Sequence, residues 1–374
     1  MTNIQEIISI INNLAPQKLA YDWDNVGLQI GDFQQKTKNV LLSLDFNKDV
    51  LNEAREKNCK LIITHHPFIF NDLKTIHTQT EKGKLIFESI KNNISVFSAH
   101  TNLDVANNGL NDYLADILNL NNIEILKIKD EKPYFKLVFF VPEKYFEQVR
   151  EAILAEGAGH IGSYSKTSFS TDGEGTFLPG EDSDPHIGMK GEFTKVNEFR
   201  VETIIKSSQV NSVINKLKEK HPYEEVAYDL YPLEQYKEKI GLGRIGELKH
   251  QSNLKKYLFL VKNKLGLPGI KYAGKDPSST TIKKIAVCSG SGADLIGTAK
   301  YAHADLYITG DIKYHEAQYA ENIGLNLLDA GHYWTEKIVV KLLKDYLEKE
   351  SKNNNLDVQY YISEVNTNPW QYIN

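Results

Sequence analysis

Cysteine is scarce in this chain of 374 residues, which carries only Cys59 and Cys288. One possible pair cannot build a disulfide framework, so a reducing compartment is expected, with both thiols as small buried residues. An excess of positive charge is also missing. The chain has 44 basic and 49 acidic residues, a net charge of −5 and a pI near 6.2. Lysine and arginine are scattered rather than striped, which argues against a nucleic-acid partner. No window reaches the roughly 18 consecutive apolar residues that a membrane span needs. Met1 to Glu6 lack the basic start of a secretory signal. The expectation is a cytoplasmic protein with no membrane partner. Short-period repeats and low-complexity tracts are absent as well.

What is present is alternation. Residues 1–126 and 236–374 alternate short apolar runs with helical spacing, the pattern of an α/β fold with covered strands. Val40-Leu41-Leu42-Ser43-Leu44, Leu61 to Thr64 and Ile94 to Ala99 are the strand-like runs of the first block. Ile282 to Val287, Leu306 to Thr309 and Leu325 to Leu328 are those of the last, and Thr335 to Glu350 reads as its longest helix. Residues 127–235 follow another grammar, strand–helix–strands–helix–strand, which matches a ferredoxin-like α+β unit. Its centre, Gly157 to Pro185, reads as a long hairpin or mobile loop.

Chemistry-bearing residues collect at the ends of these runs. His65-His66 follow Leu61 to Thr64, Asp104 follows the run ending at Ala99, and Asp45 closes a third strand. In open α/β sheets ligands bind beyond the carboxyl ends of strands. His332 and Glu336 lie four apart at a helix start, on one face. His65, His66, Asp104, His332 and Glu336 make five candidate ligands. A tetrahedral catalytic zinc site uses fewer protein ligands. Five suit two divalent ions about 3.5–4 Å apart with a bridging carboxylate and a shared hydroxide. Adjacent histidines on an extended chain diverge, so each would serve a different ion. Imidazoles and carboxylates without thiolate admit zinc first, then iron or manganese. Because the ligands come from both outer blocks, these should form one discontinuous metal-binding domain and the middle block an insertion.

Five ordered segments carry a family resemblance: Tyr21-Asp22-Trp23-Asp24-Asn25-Val26-Gly27-Leu28, Ile63 to Pro67, His100 to Asp104, Thr309 to His315, and Gly331 to Glu336. Together they resemble the signatures of the NIF-three-like family, known as GTP cyclohydrolase 1 type 2, over nearly the whole chain. The resemblance implies a di-metal centre on the same five residues and a homohexamer, a toroidal dimer of trimers with metal sites facing its cavity. It also implies an inserted domain similar to the PII and CutA folds, closed by His221-Pro222-Tyr223-Glu224-Glu225. The implied reaction opens the imidazole ring of GTP and releases formate.

Other residues carry two readings each. Asp311 and His315 are candidate catalytic or substrate-contacting groups beside Glu336, or a helix cap and a surface histidine. His100 either orients a ligand or is a satisfied neighbour, and Asp45 either fixes a ligand or caps a helix. Gly290-Ser291-Gly292 either admits an anionic substrate or makes a tight turn. Gly241-Leu242-Gly243-Arg244-Ile245-Gly246 has the letters of a dinucleotide loop without a strand before it, a helix after it, or the acidic residue downstream. The leading expectation is a metal-dependent hydrolase, with a metal-bridging hydroxide attacking a small nucleotide-like substrate. The rival is a regulatory or scaffold protein whose insertion senses a metabolite or partner. A ring around nucleic acid is the third reading.

Overall fold

The computed structural model describes residues 1–372. The chain forms two compact units: Met1–Lys129 together with the chain from Ile240 onward, and Asp130–Lys239 between them. The strands Asn121–Pro142 and Tyr228–Asn253 each run through one of these crossings. A change of composition does not mark such a crossing, because it falls inside a strand. No helix among the described residues is long and apolar enough to cross a membrane.

The larger unit is a mixed α/β structure. One sheet has the order Gln359–Ile362, Asn39–Ser43, Leu61–Thr64, Ser95–Ser98, Gly27–Ile30. Its first four strands are parallel neighbours and the last is antiparallel. Both faces are covered. Val40, Leu42, Leu61 and Ile63 join the helix residues Ile7, Ile8 and Ile11 on one side. Leu41, Ile62 and Val96 join Val50, Leu51 and Ile86 on the other. Burial on both faces explains why these strands read as continuous apolar runs. A second parallel group, Thr281–Ser291, Leu306–Gly310 and Asn326–Asp329, is likewise packed on two sides.

The register of these strands decides where the functional residues fall. Ser43 pairs with Thr64 and Thr64 with Ser98, so Asp45, His65 and His100 all emerge at one sheet edge. Thr309 pairs with Asp329 in the other group, so Asp311 and His332 follow at a second edge. The expected long helix from Thr335 is two helices: His332–Glu336, then Val339–Asn353. The ligand pair therefore has a short helix of its own.

The inserted unit runs strand, helix Phe146–Ala155, strands Ser168–Phe177 and Thr194–Ile205, helix Val210–Lys220, strand. The two middle strands pair antiparallel from Ser168↔Thr203 to Phe177↔Thr194. The glycine-rich stretch thus forms one arm of a hairpin rather than a loop throughout. Phe139, Val149, Val201 and Leu217 belong to a core confined to this unit.

Arg244 sits 1 % exposed inside the larger unit. It holds both oxygens of Asp112, at 2.6 and 2.8 Å, and donates to the carbonyls of Ala106, Gly241 and Gly243. The glycine-rich string around it lies within a strand, so it forms no dinucleotide loop. Replacing Arg244 by alanine leaves three carbonyls and a carboxylate without their donor. We expect a loss of about 3–5 kcal/mol in denaturant unfolding, with Arg244→Lys recovering only part, because lysine cannot reproduce the fork.

Candidate metal centre

The sheet edges bring His65, His66 and His100 together, and the helix His332–Glu336 faces them. His65 and His66 donate consecutive backbone N–H groups to one carbonyl, that of Leu44, at 3.2 and 3.0 Å. This kink turns two adjacent side chains toward a common centre, which an ideal strand would not do. Their ring centroids are 5.2 Å apart.

Glu336 is the junction. It is 3 % exposed. Its Oε2 lies 2.8 Å from His66 Nε2 and 2.9 Å from His332 Nε2, while Oε1 lies 3.8 Å from His65 Nε2. Asp104 Oδ1 is 3.7 Å from the same His65 nitrogen. The structure therefore gathers His65, His66, Asp104, His332 and Glu336 within one cluster.

Each ring is held from behind. His65 Nδ1 donates to the Ala99 carbonyl at 2.8 Å. His66 Nδ1 meets Asp45 at 2.7 Å, His100 Nδ1 meets Asp24 at 2.9 Å, and His332 Nδ1 meets Asp311 at 2.7 Å. Carbonyl and carboxylate partners on Nδ1 fix the rotation of a ring and point Nε2 inward, the arrangement found behind metal-bound histidines. Asp45 is itself held by the Thr367 hydroxyl. Asp311 adopts φ +57°, an uncommon conformation for a non-glycine residue. Its bond to His332 supplies a reason for it.

The electrostatics follow from these contacts. Burial opposes charge on Glu336, but hydrogen bonds from His332 and His66, with the His65 ring close by, hold it well below the usual carboxylate range. Burial also opposes charge on His66, and its bonds to Asp45 and Glu336 outweigh this, raising it to about 10. His332 behaves alike: burial is overcome by Glu336 and then Asp311, which lift it to about 9.

The cluster fits a divalent cation. His65 Nε2 is buried without a hydrogen-bond partner, and two carboxylate oxygens stand just beyond hydrogen-bonding reach of it. Ligand bonds of about 2.0–2.2 Å put two ligands of one ion roughly 3–4 Å apart. That range includes these separations and the 3.4 Å between His66 Nε2 and His332 Nε2. Two overlapping groups have the spacing of metal ligands, His65 with His66 and His100, and His66 with His332 and Glu336. Gly290 completes the fit. Its φ is +63°, and an added Cβ would sit 2.1 Å from Glu336 Oε1.

Of the other candidates, Asp311 reaches the cluster through His332. His315 does not: it is exposed and bonds Gln318. His100 is closer to the centre than its spacing from Asp104 suggests, 5.2 Å from the His65 ring and 5.6 Å from the His66 ring. Asp24 and Thr367 were not singled out from the sequence. Only the string Tyr21 to Leu28 offered a signal for the first, and none marked the second. A cavity of about 950 Å³ opens onto the cluster, with Asp45, His66, Asp311 and His332 at its base and Trp334 and Trp370 on its wall.

The profile of the Duf34/NIF3 family (NGG1p interacting factor 3) matches residues 2–369. A Bacillus subtilis protein named GTP cyclohydrolase 1 type 2 homolog is 43% identical over 371 residues, 99% of either chain. The crystal structure of a Bacillus cereus protein related to NIF3 superposes with a TM-score of 0.89 at 40% identity, covering 100% of this chain and 99% of that one. A Staphylococcus aureus protein structure gives a TM-score of 0.71 at 30% identity, with 100% and 99% covered.

Two outcomes follow from the geometry. Gly290→Ala should displace the Glu336 carboxylate and lower metal retention after dialysis, with little change in far-ultraviolet circular dichroism; full retention would contradict the close approach. An ion must also displace the protons that the raised values of His66 and His332 hold at neutral pH. Metal affinity should therefore fall as pH drops from about 8 to about 6, with protons released on binding. Calorimetry in buffers of different ionisation enthalpy measures both, and a pH-independent affinity would count against these rings as ligands.

Proposed function

Since the chain belongs to the Duf34/NIF3 family, we propose that it is a metal-dependent hydrolase of a small, nucleotide-like substrate, with two divalent ions per chain. The observation that carries this reading is the inward-facing set of Nε2 atoms around one buried carboxylate, with His65 Nε2 unsatisfied beside Asp104. His65 and Asp104 would hold one ion, His66 and His332 the other, and Glu336 both. Zinc leads the choice, then iron or manganese, because the donors are imidazole and carboxylate without thiolate. Ions in such a site supply Lewis acidity and lower the pKa of water, so that hydrolysis proceeds near neutral pH.

This chain's own residues do the rest. Asp45, Asp24 and Asp311 keep their histidines from rotating. Trp334 and Trp370 offer flat apolar surface to a heterocyclic base a short way from the cluster. Relatives carry the name GTP cyclohydrolase 1 type 2 homolog, and the proposed reaction is accordingly opening of the GTP imidazole ring with release of formate. A homohexameric toroid, a cytoplasmic location and a PII/CutA-like character for the insertion belong to the same proposal. It includes neither a membrane nor a nucleic-acid partner.

A regulatory reading stands second, favoured by the inserted unit's separate core. Formate release from GTP by the zinc-loaded protein decides between the two. Turnover that falls by about 10²-fold or more in Glu336→Ala supports the hydrolase. Unchanged turnover in a metal-free Glu336→Ala protein overturns it. Metal retention with no turnover of any nucleoside triphosphate favours regulation.

A further inference from the structure

The inserted unit holds a cavity of about 430 Å³ for which the metal chemistry has no use. Phe140, Phe177 and Tyr223 give it aromatic walls, with Phe177 and Tyr223 packed edge to face at 5.9 Å. Ile187 and two prolines close it from the loop that follows Phe177. Three carboxylates, Glu198, Glu224 and Glu225, line the same space, and no lysine or arginine does.

The charged wall is built rather than incidental. His221 is 7 % exposed. It donates from Nε2 to the Phe140 carbonyl at 2.8 Å and accepts the Tyr223 N–H at Nδ1 at 3.1 Å. Both ring nitrogens are therefore committed with the ring neutral, and burial lowers its pKa further. His221 thus fixes Tyr223 in place and brings no positive charge. The Tyr223 hydroxyl donates to Glu198 Oε1 at 2.7 Å, which aims that carboxylate. Room for it comes from Gly175, where a Cβ would stand 2.2 Å from Glu198 Oε2. Glu224 accepts the Asp184 N–H at 2.9 Å and so fastens the covering loop. His186, the one basic side chain on the lining, is bonded to the Tyr145 hydroxyl.

We propose that this cavity binds a small organic cation, a protonated amine or guanidinium on an apolar body, with its charge on Glu198 and its body against Phe140, Phe177 and Tyr223. An anionic ligand would face three carboxylates without a counter-charge. A neutral apolar ligand would strip water from the half-buried Glu198 and return nothing. A hydrated inorganic ion would leave the aromatic walls unused. An organic cation satisfies both halves of the lining, since aromatic rings and carboxylates each favour it.

Isothermal calorimetry on the full, metal-loaded protein tests this with 2-phenylethylammonium and its neutral counterpart, 2-phenylethanol. The expected result is one saturable site per chain for the ammonium, with the alcohol at least about tenfold weaker. Glu198→Gln keeps the shape but removes the charge and should cost a similar factor. Gly175→Val fills the space beside the carboxylate and should also weaken binding. Tyr223→Phe keeps the aromatic wall but removes the bond that aims Glu198, and should also weaken ammonium binding. Binding should persist in Glu336→Ala, which separates this site from the metal cluster. Absence of saturable ammonium binding, equal binding of the alcohol, undiminished binding by Glu198→Gln, or loss in Glu336→Ala would each overturn the proposal.

Discussion

A single buried carboxylate, that of Glu336, is the constraint on which the architecture of the histidine–carboxylate cluster depends. A charge removed from water is costly unless it is compensated, and breaking such a compensation costs several kcal/mol. Here the compensation arrives from three imidazoles on two separate parts of the chain. His66 and His65 come from the first sheet edge, and His332 comes from the same short helix as Glu336. Gly290 must lack a side chain for the carboxylate to fit. Thr335, beside Glu336, accepts the Gly290 N–H and anchors that approach.

The same constraint explains the rings' supports. An imidazole can face Glu336 with Nε2 only if its Nδ1 is satisfied elsewhere, and the chain provides a carbonyl once and carboxylates twice. Ala99, Asp45 and Asp311 lie just beyond strand ends, so their rings are oriented before any ion arrives. Such preorganisation is what a metal-activated reaction requires, because reorientation during turnover would cost rate. The inserted unit uses a related device in miniature: a neutral, doubly bonded His221 positions Tyr223, which in turn aims Glu198.

Much of this was legible in the sequence where the signal was local. The apolar run Leu61 to Thr64 ending in His65-His66, and the i, i+4 pair His332 and Glu336, announce themselves within a few residues. The α/β alternation is legible for the same reason, as each strand is buried on both faces. Partnerships across the chain were not legible. Asp24 meets His100 across 76 positions, Arg244 meets Asp112 across 132, and Thr367 meets Asp45 across 322. A carboxylate in a loop looks the same whether it caps a helix or steadies a ring. The break between Glu336 and Val339 was hidden as well, because helical spacing continues across it. The glycine-rich stretch left hairpin and loop both open, and pairing with Thr194–Ile205 makes a hairpin strand of residues that favour loops alone.

X-ray absorption spectroscopy on the zinc-loaded protein tests the central claim, that these five residues hold a pair of ions, most directly. The account predicts a first shell of nitrogen and oxygen only, outer-shell scattering from imidazole, and a metal–metal distance of about 3.5–4 Å. A first shell containing sulfur, or one without imidazole scattering, would place the ion elsewhere. Imidazole scattering with no metal–metal vector at full loading would contradict the paired centre.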